Sequence, residues 1–308
     1  MIHINDLQIE QSENTAISIG NFDGMHTGHI NLIKELRDRA TKENLKSVIF
    51  SFYPHPKFIV TGKDIDLILT REEKISVIEN MGIDLYVEYP FDKDFAETTP
   101  KYFIEEILAK KMKCKVLIIG EGYRFGKGQQ GDINFIKEIS KRLDIKVVVV
   151  PHEIYKSEKL SSTNIRNLIL KGDMQEVAKI LHTPYFIKSS VIEGNKLGRT
   201  IGFPTANISI DSIKILPPNG VYITKTKICK TKKEYKSITN IGFKPTVQGN
   251  EKTVETFLLN FENDIYSDDI IVYFYERIRD EKKFNSLDEL KEQIAKDVVQ
   301  AKKIIYKT

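Results

Sequence analysis

The chain has 308 residues, about twice the usual length of one domain, so two domains are expected. Hydrophobic residues make up 41% and charged residues 29%, which excludes a disordered or collagen-like protein. The 47 Lys and Arg against 43 Asp and Glu leave a net charge of +4, too small an excess to indicate a nucleic-acid partner. Two distant cysteines, no long apolar run and no signal-peptide pattern predict a cytoplasmic protein without disulfide bonds.

The first half alternates apolar and amphipathic segments, which predicts a mostly parallel sheet with helices on both faces. Strands are predicted at 15–20, 46–52, 84–88, 115–120 and 147–150, and helices at 30–40, 71–81, 99–111, 131–141, 161–171 and 173–181. Pro54 and Pro56 end the second strand because proline cannot donate to a sheet ladder. Ligands of such folds bind beyond the carboxyl ends of the strands, so the loops after Gly20, Phe52 and Gly120 are expected to share one cleft.

The second half changes character from about residue 184, where strand-like segments follow one another without helices between them. These segments lie at 185–192, 221–227, 236–241, 253–260 and 269–275, and one long helical pattern follows at 287–304. Consecutive strands predict an antiparallel barrel or sandwich closed by a C-terminal helix. We therefore predict two domains, at residues 1–183 and 184–308.

A loop framed by glycines follows the first strand and opens a helix, with the sequence GNFDGMHTGH at residues 20–29. The glycines let the backbone approach a polyphosphate, and the helix N-terminus offers free N–H groups to it. His26 and His29 lie three residues apart in the first turn, where both can donate to phosphate oxygens during group transfer. Two histidines near a helix start are more often surface residues, but the glycines on both sides favour a phosphate site.

Two further segments of the first half carry weaker signals. Ser161, Ser162 and Thr163 begin a helix, and hydroxyls at that place are by themselves better explained as caps. Arg166 in the first turn opposes the helix dipole, which is reasonable if a phosphate lies beside it. The glycine-rich segment GEGYRFGKG, residues 120–128, is a weak loop signal when taken alone.

Taken together and in this order, these segments resemble one family. The segments at 20–29, 54–56 (PHP), 124–128 (RFGKG) and 161–166 (SSTNIR) are similar to the FMN adenylyltransferase half of bacterial bifunctional riboflavin kinase/FAD synthetases. The resemblance implies that the phosphate of FMN attacks the α-phosphate of ATP, giving FAD and pyrophosphate. It implies catalytic roles for Asn21, His26, His29 and Arg166, ATP or phosphate contacts for Gly20, Phe22, Asp23, Gly24, Gly28, His55, Ser161, Ser162 and Thr163, and a flavin contact for Phe125.

One position departs from the pattern of that family. Gly122 stands where many relatives have Asp or Asn, so a polar side chain beside the flavin or a metal is missing. Glu121 is a hypothetical substitute for it.

The second half contains the most informative segment, GNKLGRTIGFPTAN at residues 194–207. Its glycines permit close backbone approach, and Thr205 and Asn207 offer neutral oxygens that suit Mg²⁺ bound to phosphates. The alternative is a polar barrel loop with N-capping residues. Glu255 places a carboxylate inside an apolar strand, where it either pairs with a basic residue or accepts a proton from a substrate hydroxyl.

The segments at 194–207, 240–246 (NIGFKPT) and 276–284 (ERIRDEKKF) resemble the riboflavin kinase family. The resemblance implies a six-stranded barrel that transfers the γ-phosphate of ATP to the 5′-hydroxyl of riboflavin. It implies a base at Glu255, Mg²⁺ at Thr205 and Asn207, ATP contacts at Gly194, Lys196, Gly198, Arg199 and Pro204, and flavin contacts at Arg279 and Phe284. Ser190 and Ser267 stand where many relatives have glycine.

The expected fold is a nucleotidyltransferase-type parallel α/β domain followed by a six-stranded antiparallel β-barrel kinase domain with a C-terminal helix. The expected function is a bifunctional enzyme of FAD biosynthesis that uses ATP and Mg²⁺ to make FMN from riboflavin and FAD from FMN. Two alternatives stay open: the same fold with one active half, or a non-catalytic flavin- or RNA-binding regulator. The expected partners are these small molecules, without nucleic acid or membrane, and the oligomeric state is open between a monomer and a weak homo-oligomer.

Overall fold

The computed structural model describes residues 1–6, 9–194, 197–246 and 249–303. The chain divides into two compact units, Met1–Ser162 and Thr163–Thr308. A domain boundary between residues 183 and 184 stays a prediction. Within the described ranges, no helix is both long enough and apolar enough to cross a membrane.

The first unit is built on a parallel sheet of six strands in the order β1-β4-β3-β2-β5-β6. The strands are β1 (Ile2–Ile4), β2 (Thr15–Ile19), β3 (Lys46–Tyr53), β4 (Leu85–Pro90), β5 (Cys114–Gly120) and β6 (Lys146–Val150), and a small hairpin follows as β7 (Ile154–Tyr155) and β8 (Glu158–Lys159). All five residues of β2 are buried, as expected of a central parallel strand covered on both faces. The predicted parallel sheet is confirmed, with β1 as an additional short edge strand.

Helices connect these strands and cover the sheet. They are α1 (Thr27–Glu43), α2 (Pro56–Thr61), α3 (Arg71–Glu79), α4 (Lys93–Ala96), α5 (Pro100–Tyr102), which continues into a π-helical stretch at Phe103–Lys111, and α6 (Ile133–Arg142). Leu32, Ile33, Leu36 and Ala40 form the buried face of α1, at helical spacing. Pro56 begins α2 as well as following a strand, because proline is tolerated in the first turn of a helix.

The second unit contains a closed antiparallel barrel in the order β10-β13-β12-β11-β14-β9. Its strands are β9 (Tyr185–Ile192), β10 (Ala206–Ile208), β11 (Gly220–Ile228), β12 (Glu234–Thr246), β13 (Gly249–Leu258) and β14 (Asp269–Arg279), and its helices are α7 (Ser162–Lys171, of which Ser162 belongs to the first unit), α8 (Met174–Leu181), α9 (Leu197–Thr200) and α10 (Leu287–Lys303). A barrel, rather than a sandwich, is therefore the architecture of this unit. The sequence prediction lacked β10, whose three residues are too few to show an alternating pattern.

The two faces of the barrel wall differ in chemistry. Inside, the hydroxyls of Thr224, Thr239 and Thr256 form a hydrogen-bonded ladder in which every member is fully buried and paired. Outside, an apolar cluster that includes Val221 and Ala301 packs α10 against the wall. Alternation along β13 therefore decides which side chains face the interior and which face outward.

Candidate active sites

The loop after β2 is tightly bent and tied to a neighbouring segment of the first unit. Phe22, Gly24 and Met25 have φ angles of 51°, 87° and 45°, in the left-handed region. The Asp23 carboxylate accepts hydrogen bonds from the backbone N–H groups of residues 68 and 69, each at 3.0 Å. Asp23 thus anchors the loop, and its predicted contact with ATP stays a prediction.

His26 and His29 lie side by side where α1 begins. Their rings are stacked with centroids 3.8 Å apart and planes 23° from parallel. The Nδ1 atoms of both rings are buried, and among the described residues neither has a hydrogen-bond partner. Gly28 favours this packing, because a Cβ there would lie only 3.2 Å from the His26 ring. Unpaired buried polar atoms are rare in a folded protein, and a catalytic role is one of the explanations for them.

The histidine pair is uncharged at neutral pH. Burial lowers the pKa of His26 to about 4, and the nearby Asp23 carboxylate opposes that shift only in part. Burial lowers the pKa of His29 well below its ordinary value, and the positive charge of Lys74, with that of His26 once it is protonated at low pH, lowers it further. Each neutral imidazole can donate one N–H to a phosphate oxygen, but it brings no positive charge to the site.

Other predicted residues of this cleft are arranged around the same loop. The Ser162 hydroxyl donates to the backbone carbonyl of Asp23 at 2.9 Å. The Asn21 side chain is exposed to solvent, while its backbone carbonyl lies 3.5 Å from the Ser51 hydroxyl. His55 Nδ1 accepts from the backbone N–H of Lys57 at 3.2 Å and caps α2. The structure brings Ser162 and Asn21 to the loop, and their roles toward substrate stay predictions.

Two of the predicted phosphate contacts, Thr163 and Arg166, lie on α7 in the second unit. Thr163 is exposed and Arg166 is half-buried. Their contacts with a phosphate stay predictions.

The glycine-rich segment after β5 packs its aromatic rings inward. Phe125 is buried and stacks on Tyr123, with centroids 5.6 Å apart and planes 11° from parallel. Burial raises the pKa of the Tyr123 phenol, so that group stays protonated. Phe125 also packs against Phe103, with centroids 5.7 Å apart. A flavin contact of Phe125 stays a prediction.

A side chain at position 122 would lie close to a neighbouring residue. Its φ is +79°, and a Cβ there would lie 3.1 Å from His152 Nε2. Glu121 Oε2 accepts from the backbone N–H of His152 at 3.3 Å. His152 therefore fills the space beside Gly122, and the possible substitution by Glu121 stays a hypothesis.

The sequence analysis missed a buried cluster of charges at the carboxyl end of β4. The Glu88 side chain is fully buried and accepts from Arg71 Nε at 2.7 Å and from the Tyr86 hydroxyl at 2.9 Å. His3 Nε2 lies 3.0 Å and Lys74 Nζ 3.8 Å from the same carboxylate. One signal could have revealed it, since Glu88 interrupts an otherwise apolar strand.

In the second unit, the predicted phosphate loop folds closely around its glycines. Phe203 N–H donates to the carbonyl of Gly198 at 2.8 Å, and a Cβ at Gly198 would overlap the Phe203 carbonyl. A Cβ at Gly194 would overlap the side-chain amide of Asn207. Arg199 and Pro204 are exposed. Lys196 lies outside the described residues.

Glu255, Thr205 and Asn207 meet on the outer face of the barrel. Asn207 is paired with Glu255 across β10 and β13. The Thr205 hydroxyl donates to Glu255 Oε2 at 3.3 Å. Val254 and Thr256 point into the barrel, so alternation turns the Glu255 carboxylate outward to the loop. The structure thus brings together the three residues that the sequence predicted as base and metal ligands.

The donors at this position suit Mg²⁺. A hydroxyl, an amide oxygen and a nearby carboxylate are hard oxygen ligands, which Mg²⁺ prefers when phosphates and water complete its shell. The lack of a Cβ at Gly194 lets the Asn207 amide lie against the loop. Within the described ranges, no group of three or more His, Cys, Asp or Glu side chains could hold a metal ion.

Arg279 is engaged with α10. Its guanidinium binds the buried Asp297 carboxylate with contacts of 2.8, 3.1 and 3.2 Å. Its Cζ also lies 5.8 Å from the centre of the Phe284 ring. The ion pair between Arg279 and Asp297 links the end of β14 to α10. Flavin contacts of Arg279 and Phe284 stay predictions.

The fold and these two sites define a class of chain: a nucleotidyltransferase-like α/β unit followed by a kinase-type barrel, each with a loop suited to phosphate. The sequence pattern of the FAD synthetase family matches residues 8–164, and that of the riboflavin kinase family matches residues 181–305. The chain belongs to the family of bifunctional riboflavin kinase/FMN adenylyltransferases. The predicted family, fold class and combination of two enzymatic domains are therefore confirmed.

Individual relatives support this assignment over the whole length. The bifunctional riboflavin kinase/FMN adenylyltransferase of Buchnera aphidicola (Schizaphis graminum) is 39% identical over 297 residues, which cover 95% of this chain and 94% of that protein. The Bacillus subtilis protein of the same name is 34% identical over 307 residues, which cover 97% of this chain and 95% of that protein. A solved chain from Streptococcus pneumoniae, described as a macrolide-efflux protein, is 30% identical with a TM-score of 0.90 and covers 99% of this chain and 100% of its own length.

Proposed function

We propose that this enzyme makes FMN from riboflavin in the barrel unit and FAD from FMN in the α/β unit, with ATP as co-substrate in both steps. The observation that supports the proposal most is the convergence of Glu255, Thr205 and Asn207 on one face of the barrel. A protein that only binds flavin has no need of a carboxylate beside two oxygen ligands. The proposal also extends to the cytoplasm as its location, where the free thiols of Cys114 and Cys229 fit a reducing compartment.

In the kinase reaction, Glu255 acts as the general base. As the 5′-oxygen of riboflavin attacks the γ-phosphorus of ATP, the hydroxyl proton passes to the Glu255 carboxylate and ADP leaves. Thr205 donates to Oε2, which leaves Oε1 of Glu255 to receive that proton. Thr205 and Asn207 would hold Mg²⁺, which when bound neutralises charge on the phosphates. The lack of side chains at Gly194 and Gly198 lets the backbone at these two positions approach the phosphates of ATP.

In the adenylyltransferase reaction, an oxygen of the FMN phosphate attacks the α-phosphorus of ATP, and pyrophosphate leaves. No protein group has to take a proton, so the task is to align two anions and to stabilise the charge that develops. His26 and His29 donate N–H groups to the phosphate oxygens from the start of α1. The hydroxyls of Ser161 and Ser162 shape the nucleotide cleft.

A chromatographic time course of the full-length protein with riboflavin, ATP and Mg²⁺ tests this proposal. FMN is expected first and FAD second. FMN that accumulates without FAD would contradict the second activity, and FAD made only from added FMN would contradict the first. Omission of Mg²⁺, with EDTA present, is expected to stop FMN formation. Absence of both products would contradict the proposal and favour the alternative of a non-catalytic regulator.

A further inference from the structure

Lys74 lies where three neighbouring strands of the α/β unit end. Its Nζ is 3.5 Å from the carbonyl of Asn21, which follows β2, and 3.5 Å from the hydroxyl of Ser51 in β3. The same atom lies 3.8 Å from Oε1 of Glu88 in β4. Because these strands are adjacent and parallel, one ammonium group connects their carboxyl ends, the edge of such a sheet at which ligands bind.

Lys74 differs from the other cation of this cluster in how closely its charge is paired. Arg71 binds Glu88 at 2.7 Å, so its charge is matched by a short ion pair. The contacts that Lys74 makes with Asn21, Ser51 and Glu88 are 3.5 Å or longer, which is the outer limit of hydrogen bonding. Lys74 is therefore less closely paired with Glu88 than Arg71 is.

The position of Lys74 is fixed by the start of α3. Thr70 and Glu73 form a capping box, in which each side chain accepts from the backbone N–H of the other. Asp23 binds the two N–H groups just before Thr70, so this segment and the loop after β2 are tied together. Lys74 extends from this frame back to the same loop at Asn21.

The neutral histidine pair supplies no positive charge at this place. His26 and His29 are neutral at pH 7 because burial lowers the pKa of each, yet the reaction joins two anions. Burial lowers the pKa of Lys74, and the charge of Arg71 lowers it further, while the facing Glu88 and Asp23 carboxylates favour the charged form and oppose that shift. The ring of Tyr86 also lies 5.9 Å from Nζ.

We propose that Lys74 is a positioning residue of the adenylyl transfer, which holds the loop after β2 in place and supplies positive charge beside His29. This inference rests on the proposed function of the α/β unit. It adds a residue that lies outside the glycine-framed loop and the serine-rich helix start.

The test compares full-length Lys74→Met, Lys74→Arg and wild-type protein. FAD formation from FMN is expected to fall about 10- to 100-fold in kcat in the Met variant and to recover in part in the Arg variant. Lys115→Met is the matched control and is expected to keep the wild-type rate. Lys115 lies at the start of β5 and pairs with the exposed Asp144. Circular dichroism melting and FMN formation from riboflavin report on folding. A Lys74→Met rate within twofold of wild type would overturn the inference.

Two further measurements separate a positioning role from simple neutralisation of Glu88. If Lys74 only balances that carboxylate, the double variant Lys74→Met/Glu88→Gln regains wild-type FAD formation, whereas we expect it to stay slow. An NMR titration of His29, assigned with His29→Gln, is expected to show a higher pKa in Lys74→Met than in wild type. An unchanged His29 pKa would overturn the part of the inference that concerns charge. A wild-type protein that makes no FAD would instead contradict the proposed function, while the titration still tests the coupling.

Discussion

The hydroxyl of Thr205 donates a hydrogen bond to the carboxylate of Glu255, with 3.3 Å between Oγ1 and Oε2. The two residues are 50 positions apart in the chain and belong to the phosphate loop and to β13. The bond orients the carboxylate and leaves its second oxygen available. It thereby couples the residue proposed to hold Mg²⁺ with the residue proposed to take the proton.

Glu255→Gln is expected to lower kcat of FMN formation by about 10² to 10⁴, because an amide cannot accept the hydroxyl proton. The variant keeps the shape of the side chain, and the Thr205 hydroxyl can still donate to the amide oxygen. Both activities can be measured on one preparation, and FAD formation from supplied FMN is expected to stay unchanged. Glu262→Gln, in the exposed turn after β13, is the control. Normal kinase activity in Glu255→Gln would show that another group is the base.

Gly194→Ala is expected to weaken the Mg²⁺ site, because the added Cβ would overlap the amide of Asn207. We expect kcat of FMN formation to fall about 10- to 100-fold, since small displacements in such sites cost that much. The Mg²⁺ concentration needed for half-maximal activity is expected to rise in this variant and in Asn207→Ala. Titration of activity with Mg²⁺ measures both effects. A loss of activity at saturating Mg²⁺, with the midpoint unchanged, would argue against Asn207 as a ligand.

The α/β unit is expected to lose stability as the pH falls from about 6.5 toward 4. Burial holds the pKa of His26 at about 4 in the folded chain, while the unfolded chain takes up a proton near the ordinary pKa of 6.5. The unfolded state then binds more protons, so lower pH favours it. For this residue alone, the free energy of unfolding is expected to fall by on the order of 3 kcal/mol over that range. Hydrogen exchange of the β2 amides at pH 7 and pH 5 measures the change locally. His26→Gln is expected to show a smaller pH dependence, and an equal one would contradict this origin.

Two serines of the barrel unit are expected to respond to glycine with opposite signs. Ser267 has a φ of 62°, a conformation that costs a non-glycine residue about 1 to 2 kcal/mol, so Ser267→Gly should raise the melting temperature. Ser190 lies in β9, where its hydroxyl donates to Asp269 at 2.6 Å. Ser190→Gly loses that bond and loosens a strand, at a cost of about 0.5 to 1 kcal/mol. Thermal denaturation shows whether each variant has a higher or lower melting temperature than wild type. A higher melting temperature in both variants would contradict the loss of stability expected of Ser190→Gly.

The local sequence determined the types of the two sheets and the positions of the phosphate-loop motifs. Apolar runs that alternate with amphipathic ones require a parallel sheet, and consecutive strands require an antiparallel one, because each element must bury its apolar face. The glycines around His26 and His29 indicated a phosphate loop without knowledge of the fold. The same holds for Thr205 and Asn207, which lie two residues apart. In these cases the residues that indicate the chemistry lie within a few positions of one another in the sequence.

Tertiary structure alone decided how distant residues combine. Asn21, Ser51 and Glu88 lie on separate strands, and only the order of the sheet brings them to Lys74. Burial of His29, which keeps the imidazole neutral, likewise depends on the tertiary structure. The pairing of β10 with β13 placed Glu255 beside Thr205. Such contacts depend on strand order and register, and no stretch of neighbouring residues encodes them.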